Sequence, residues 1–149
     1  MKEKLLASLG AVLIAFTFTS AANASTLNFY NDLPTDTLRF SVGCTGCSAY
    51  EGTSPTTWGV DGDLFELTNS GSGSETSEVN SITDEDYADW SAKDETGTMT
   101  FTSSAEYILI KIGQTPNYGL IMNSLVDNTF IFTEIGRGAG LSHVTEFGQ

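Results

Sequence analysis

The sequence predicts an all-β protein, an antiparallel β-sandwich of jelly-roll-like form with about eight strands and at most one short helix. Its C-terminal third, from residue 106 to residue 148, consists of short runs rich in Ile, Tyr, Phe, Val and Thr, separated by Gly, Pro and Asn. This composition is typical of antiparallel strands joined by tight turns. Such a unit needs a second layer over its apolar face, which the preceding residues must supply. No segment is long enough to predict the helix of a parallel crossover unit.

The first 24 residues are typical of a secretory signal peptide. Lys2 and Lys4 precede the apolar run LLASLGAVLIAF, and an Ala-Asn-Ala sequence ends at Ala24. A basic start, a short apolar centre and an A-x-A site predict cleavage after Ala24. The apolar run is too short for a membrane span, so no stable membrane insertion is expected after cleavage. Residues 25–149 are then one secreted domain.

The charge of the chain excludes several classes of partner. Nineteen acidic residues stand against six basic ones, giving a formal net charge of −13. A surface of this sign repels phosphate backbones and anionic head groups, so neither nucleic acid nor a bare membrane is an expected partner. Cations are better candidates, and solubility outside the cell also accounts for the charge.

The first half of the domain alternates apolar runs with polar loops. The predicted strands are TLNFY (26–30), TLRFSV (37–42) and LFELT (64–68). Alternation in the second run places Leu38, Phe40 and Val42 on one face. Residues 43–59 are rich in Gly, Ser, Thr and Pro and predict a loop that holds both cysteines.

The middle of the chain is predicted to hold a surface loop and then the short helix. Residues 69–81, NSGSGSETSEVNS, have almost no apolar content and predict a mobile loop. In residues 83–95, Thr83 can cap a helix, acidic residues suit its first turn, and Tyr87 and Trp90 share a face. The run TMTFT (98–102) alternates as a strand and leads into the C-terminal block.

Four motifs near the C-terminus are similar to those of a known protein family. They are Tyr107-Ile-Leu-Ile-Lys-Ile-Gly113, a strand at Tyr118, Thr129-Phe-Ile-Phe-Thr133 and Gly140-Leu-Ser-His-Val-Thr145. Together they resemble the ectodomains of PEP-CTERM proteins. The match covers residues 107–148, while residues 25–102 resemble the family in composition alone.

The resemblance implies a β-rich exported domain associated with exopolysaccharide, biofilm or floc matrix at a bacterial cell surface. A full member of the family continues into a Pro-Glu-Pro motif, an apolar span and a basic tail. This sequence ends at Gln149 without them, so the resemblance is either to a tailless relative that is released or to a truncated sequence. Membrane anchoring is therefore not carried over.

Cys44 and Cys47 form a C-x-x-C motif, which in an exported protein predicts a structural disulfide closing a tight loop. A redox motif would need the first cysteine at a helix start, and Gly46 and Ser48 disfavour a helix here. Haem attachment would need a histidine where Ser48 stands. Two cysteines and one histidine also fall short of a four-ligand zinc site.

His143 is the one histidine of the chain. On a predicted strand, it is more often a residue hydrogen-bonded within the sheet than a catalyst. In a regular strand Ser142 and His143 point to opposite faces, and no G-x-S-x-G motif is present. No catalytic residue is therefore assigned, and the chain is not expected to be an enzyme.

Two groups of carboxylates are candidate Ca²⁺ ligands, because Ca²⁺ binds hard oxygen ligands gathered on turns. Their members are Asp61, Asp63 and Glu66, then Asp84, Asp86 and Asp89. Neither group has the spacing of an EF-hand loop. Solvated turns are the alternative interpretation, so Ca²⁺ is a candidate cofactor and no other metal is predicted. Eighteen acids of the mature chain could also supply a glycosidase pair, which spacing alone does not identify.

Trp58, Tyr87 and Trp90 are candidate glycan-contacting residues, because exposed aromatic rings can stack on the apolar faces of sugars. Tyr50 and Tyr118 also lie in or beside predicted loops. The alternative is that Trp58 and Trp90 close the ends of the sandwich.

These observations predict a secreted, non-enzymatic component of an extracellular matrix or surface layer that binds exopolysaccharide or its own copies. One alternative is the subunit of an extracellular fibre or filament, since small exported β domains can add strand to strand at unprotected edges. A second is a secreted glycan hydrolase.

Overall fold

The computed structural model describes residues 24–31, 37–69 and 71–149. Over these residues the chain forms eleven strands and one helix, α1 (Ser72–Thr83). The strands are β1 (Ala24–Tyr30), β2 (Leu38–Thr45), β3 (Cys47–Tyr50), β4 (Trp58–Gly59), β5 (Asp61–Asp63), β6 (Ala92–Asp94), β7 (Thr100–Ser103), β8 (Tyr107–Ile112), β9 (Tyr118–Asn123), β10 (Asn128–Glu134) and β11 (Leu141–Phe147).

The expected mostly-β chain with one helix is confirmed, but the expected count of about eight strands is wrong. Strands β3 to β6 hold only two to four residues each, too few for a pattern of alternation to reveal them, whereas β7 overlaps the predicted strand at residues 98–102. The predicted signal peptide lies outside the described residues except for Ala24.

The strands form two sheets. Sheet A has the order β5-β1-β2-β10-β7, and sheet B has the order β4-β3-β9-β8-β11-β6. Neighbouring strands are antiparallel with one exception, because β1 and β5 run parallel. The antiparallel expectation therefore holds for every pair but that one.

Sheet A and sheet B pack face to face around the larger apolar core, as a sandwich requires. Phe29 and Phe40 of sheet A stack at 4.6 Å between ring centroids, and Ile108 and Ile121 of sheet B are buried in the same cluster. At Gly119 of β9, an added Cβ would lie 2.7 Å from the Phe29 ring. Glycine is needed there because the ring lies directly against the strand.

Helix α1 covers the other face of sheet B and makes a third layer. Its residues Val79 and Ile82 are buried in a second cluster with Leu109, Leu120 and Phe147. Burying each large aliphatic side chain contributes about 1.5–3 kcal/mol. Of the described residues, no helix is long and apolar enough to cross a membrane.

The position of the helix corrects two predictions. Most of residues 69–81, expected to be a mobile loop, lies in α1, while residues 84–91 contain no helix and β6 follows them. Few residues of α1 are strong helix formers, so its stability comes mainly from packing against the sheet. Asp84 ends the helix in a left-handed conformation at φ 61°, and its N–H donates to the carbonyl of Asn80.

A third correction concerns residues 64–68, which were expected to form a strand. Only Phe65 pairs there, through an isolated bridge to Tyr118. The apolar residues of this segment pack instead in two different places. Leu64 is buried in the core between the sheets, whereas Phe65 and Leu67 pack against the cluster under α1.

Candidate functional site

A continuous series of aromatic rings runs along the helix-bearing side of sheet B. Tyr107 on β8 lies at its centre. The ring of Trp58 from β4 is 5.8 Å away on one side, and that of Tyr87, which follows α1, is 6.4 Å away on the other. Tyr50 continues the series 6.0 Å beyond Trp58, and Phe147 continues it 5.9 Å beyond Tyr87. These five residues are called the aromatic row.

The aromatic row is fixed by packing but reaches the surface. Tyr107 and Phe147 are buried, whereas Tyr50, Trp58 and Tyr87 are half-buried. All five rings belong to or pack against the cluster beneath α1. Rings held by such contacts lose little conformational entropy when a ligand stacks on their exposed parts.

Hydrogen-bond acceptors lie beside the aromatic row on both sides of Tyr107. The phenol of Tyr87 donates to Glu106 Oε2 at 3.2 Å. The carboxylate of Glu51 lies against Gly59, next to Trp58, and accepts a hydrogen bond from Thr57 Oγ1 at 2.9 Å. Aromatic faces flanked by carboxylates can recognise a ligand that has both apolar faces and hydroxyl donors.

The tyrosines of the aromatic row remain neutral phenols over the physiological range. Burial, and then the nearby carboxylates of Glu106 and Glu85, raises the pKa of Tyr87 and Tyr107 above the ordinary value of 10.0. Burial also raises the pKa of Tyr50, with smaller contributions from Glu78 and Asp63. Each phenol therefore keeps its proton as a hydrogen-bond donor.

The structure brings together two of the three predicted glycan-contacting residues. Trp58 and Tyr87 both contact Tyr107, although the two are distant in sequence. Trp90 packs against the same cluster but lies beside Lys93, whose Nζ is 4.7 Å from the Trp90 ring centroid. Tyr107 was not predicted as a site residue, because it lies within an apolar strand and only pairing brings its neighbours to it.

A second group of polar residues is buried between α1 and sheet B. Glu75, in the first turn of α1, is fully buried. Its Oε1 accepts hydrogen bonds from the phenol of Tyr118 at 3.0 Å and from His143 Nε2 at 2.8 Å. Its Oε2 accepts one from Thr145 Oγ1 at 3.0 Å and lies 3.8 Å from Lys93 Nζ. Glu75, Lys93, Tyr118, His143 and Thr145 are called the Glu75 cluster.

The Glu75 cluster keeps a buried carboxylate ionised. Burial alone acts to raise the pKa of Glu75, but the hydrogen bond and charge of His143, the hydrogen bond from Thr145 and the charge of Lys93 outweigh it. The pKa of Glu75 is therefore below its ordinary value. Because both carboxylate oxygens already have partners and no part of the side chain is exposed, the cluster joins the helix to the sheet and offers no site for a glycosidic oxygen.

His143 lies on strand β11 as expected, but its side chain is hydrogen-bonded to Glu75 of α1 and not to a residue of the sheet. Strand β11 has an irregularity between Leu141 and His143. His143 is buried and Ser142 is exposed, so the two do not form a catalytic pair. The signal that could have found Glu75 is its spacing from Val79 and Ile82, which places all three on one face of a helix.

The candidate Ca²⁺ ligands are distributed over three parts of the fold. Asp61 and Asp63 lie on β5, and Asp61 Oδ1 accepts from the side-chain amide of Asn28 at 3.3 Å. Glu66 follows the Phe65 bridge and Asp84 ends α1. Asp86 and Asp89 lie in the segment between α1 and β6. Within the part of the chain that the structure describes, no group of three or more His, Cys, Asp or Glu residues is placed to hold a metal ion.

The predicted disulfide between Cys44 and Cys47 is confirmed. Cys44 is the next-to-last residue of β2 in sheet A and Cys47 begins β3 in sheet B, so the bond lies where the chain passes from one sheet to the other. Gly46 permits the tight connection because its φ of +59° is unfavourable for other residues.

Comparison with known proteins places the chain in no established group: no family model, curated protein or solved structure matches it.

Proposed function

We propose that this protein is a secreted, non-enzymatic component of an extracellular matrix or surface layer, and that it binds neutral polysaccharide through the aromatic row. The single observation that carries the proposal is the contact of Trp58 and Tyr87 with Tyr107, which gathers separate aromatic residues into one packed group whose half-buried members reach the surface. Sugar rings present apolar faces that stack on such rings, and their hydroxyls can donate to Glu51 and Glu106.

The charge of the chain favours a neutral ligand over an anionic one. The formal net charge is −13, and the carboxylates of Glu51 and Glu106 lie beside the aromatic row. An anionic polysaccharide would be repelled both at a distance and at the contact. The resemblance to PEP-CTERM ectodomains supports the bacterial extracellular setting, including export through a signal peptide.

The two alternative functions have less support. A hydrolase needs a pair of accessible carboxyl groups about the scissile bond. Glu75 is buried and already hydrogen-bonded, and the carboxylates of Glu51 and Glu106 lie beside different rings of the aromatic row. A filament built by edge pairing needs long open strands, whereas β4, β5, β6 and β7 at the sheet edges hold only two to four residues. Short edge strands are a common protection against such pairing.

Binding can be measured by isothermal titration with a soluble neutral β-glucan and, for comparison, with anionic alginate. We expect binding of the neutral polymer, and we expect Trp58→Ala and Tyr87→Ala each to weaken it about tenfold, the loss of one stacked ring. Val126→Ala removes an exposed side chain outside the aromatic row and is the matched control.

Each variant is first checked by thermal unfolding, so that a loss of folding is not mistaken for a loss of binding. Reducing ends are assayed in the same mixtures. Unchanged affinity in folded Trp58→Ala and Tyr87→Ala would refute the role of the aromatic row. Release of reducing ends that stops on replacing a carboxylate would favour the hydrolase.

A further inference from the structure

The outer face of sheet A carries no charged residue across four neighbouring strands. Its central row runs from Thr100 on β7 through Ile131 on β10 and Gly43 on β2 to Thr26 on β1, each residue paired with the next. Phe130 and Phe132, the strand neighbours of Ile131, point into the core. Ile131 therefore points outward, and 51% of it is exposed.

The rows on either side of this central row are also uncharged. Thr102 pairs with Thr129 on one side of the central row, and Thr133, Ser41 and Asn28 are aligned on the other. The nearest charge at this edge is Asp61 on β5, which is bonded to Asn28. These rows together are called the uncharged face.

The uncharged face contains both a projection and a recess. Gly43 lacks a side chain, and an open groove of about 380 Å³ lies over it, lined by Thr26, Thr45 and Thr129 among others. Ile131 borders this groove. An apolar side chain beside a recess large enough to receive it is the arrangement that allows one surface to fit a second copy of itself about a two-fold axis.

We propose that the uncharged face is a homotypic interface, in which Ile131 of each copy enters the groove over Gly43 of the other. Charge supports a second copy as the occupant. Two chains of net charge −13 repel each other, and most orientations bring carboxylates together. Over the described residues of this face, four adjacent strands can be buried without desolvating a charge or opposing like charges.

The size of the face predicts a weak association. With strands about 4.8 Å apart and a rise of about 3.3 Å per residue, the four strands offer roughly 400 Å² per copy. This is about half of what a standard interface buries on each partner. We expect dimers at concentrations on the order of hundreds of micromolar, which a crowded matrix can reach.

The proposed dimer has a geometric consequence that rests on the proposed function. The uncharged face lies on the outside of sheet A, whereas the aromatic row lies on the far side of sheet B. Two copies joined through sheet A would present two aromatic rows pointing away from each other. Such a dimer could link two polysaccharide chains, and its avidity would exceed that of one copy.

The association is tested by sedimentation equilibrium of the secreted chain from 10 µM to 1 mM, without polysaccharide. We expect a monomer–dimer equilibrium that strengthens at higher salt, because salt screens the repulsion between the copies. Ile131→Thr and Gly43→Thr should each weaken it about tenfold. The substitution at Gly43 fits the fold, since an added Cβ would lie 3.8 Å from Ile131 Cβ. Val126→Thr, at a position that is 79% exposed, is the matched control and should change nothing.

A cross-linking experiment locates the interface independently. Both native cysteines are in the disulfide, so Ile131→Cys adds one free thiol and should form covalent dimers on mild oxidation, while Val126→Cys should not. Monomers at 1 mM, or dimers unaffected by both substitutions on the face, would overturn the proposal. Loss of glucan binding in Ile131→Thr would also overturn it by making this face a glycan site. If Trp58→Ala loses glucan binding but still forms dimers, the result concerns the aromatic row alone and not the interface between copies.

Discussion

Glu75 Oε1 and His143 Nε2 lie 2.8 Å apart in the buried layer between α1 and sheet B, joining residues 68 positions apart in sequence. The ionised carboxylate can only accept, so the ring nitrogen donates. Tyr118, Thr145 and Lys93 complete the shell around the carboxylate. A buried charge with this many partners is tolerated, whereas the same charge with one partner removed is costly. The helix is therefore tied to the sheet by polar contacts as well as by Val79 and Ile82.

Replacing Glu75 with Gln should lower the free energy of unfolding by about 2–3 kcal/mol, because an amide cannot accept hydrogen bonds on both sides. Urea unfolding measures the change. Glu78→Gln alters the same residue type on the same helix at a half-buried position, and we expect less than about 0.5 kcal/mol there. Equal effects in the two variants would contradict the structural role of Glu75.

His143→Asn should also destabilise the fold while leaving glucan binding intact, because His143 contacts Glu75 and not the aromatic row. A double-mutant cycle of Glu75→Gln and His143→Asn should give a coupling energy on the order of 1–2 kcal/mol. Additive effects would show that the two side chains do not interact in solution. Loss of glucan binding in folded His143→Asn would place the glycan site elsewhere.

The stability that Glu75 contributes should decrease as the pH is lowered. Its folded-state pKa lies below the ordinary value of 4.5, so its stabilisation is complete above about pH 4.5 and is lost as the pH falls through the folded pKa. Urea unfolding of the wild type and of Glu75→Gln at pH 7, 5, 4 and 3 should show the difference between them shrinking at the acidic end. A difference that is constant or grows with acidity would contradict the lowered pKa.

Reduction of the disulfide should cost little stability. The bond encloses only the residues between Cys44 and Cys47, and the loop-entropy relation gives about 2 kcal/mol for so short a loop. Intact mass after alkylation without reductant should show no modified thiol, and urea unfolding with and without reductant should measure the cost. Two alkylated cysteines in the secreted protein would contradict the bond.

Ca²⁺ removal should leave the melting temperature unchanged, because Asp61 is already bonded to Asn28 and Asp89 Oδ1 already accepts the N–H of Trp90. A ligand present at about a hundred times its dissociation constant would stabilise the fold by roughly 2.7 kcal/mol. Melting curves with chelator and with millimolar Ca²⁺ would detect this. A rise with Ca²⁺ would contradict this expectation and show that the folded chain binds the ion.

The sequence by itself determined the features that depend on neighbours along the chain. Alternation identified the strand around Phe40, and composition identified the Gly- and Asn-bounded strands of the C-terminal block. The spacing of Cys44 and Cys47 was enough to predict their bond, because only a short connection separates them. The position of His143 within a strand likewise followed from local pattern.

Tertiary structure alone decided the helix and both surfaces. Residues 72–83 contain few strong helix formers, and they are helical because Glu75, Val79 and Ile82 find partners on sheet B. The local pattern instead predicts a helix over residues 83–95, and only tertiary contacts decide against it. The aromatic row exists because strand pairing and the loop after α1 bring Trp58 and Tyr87 to Tyr107. The uncharged face exists because β7 and β10 align their outward residues with those of the consecutive strands β1 and β2. Contacts between distant segments depend on which strands pair. The order of residues along one strand does not show which strand will lie beside it.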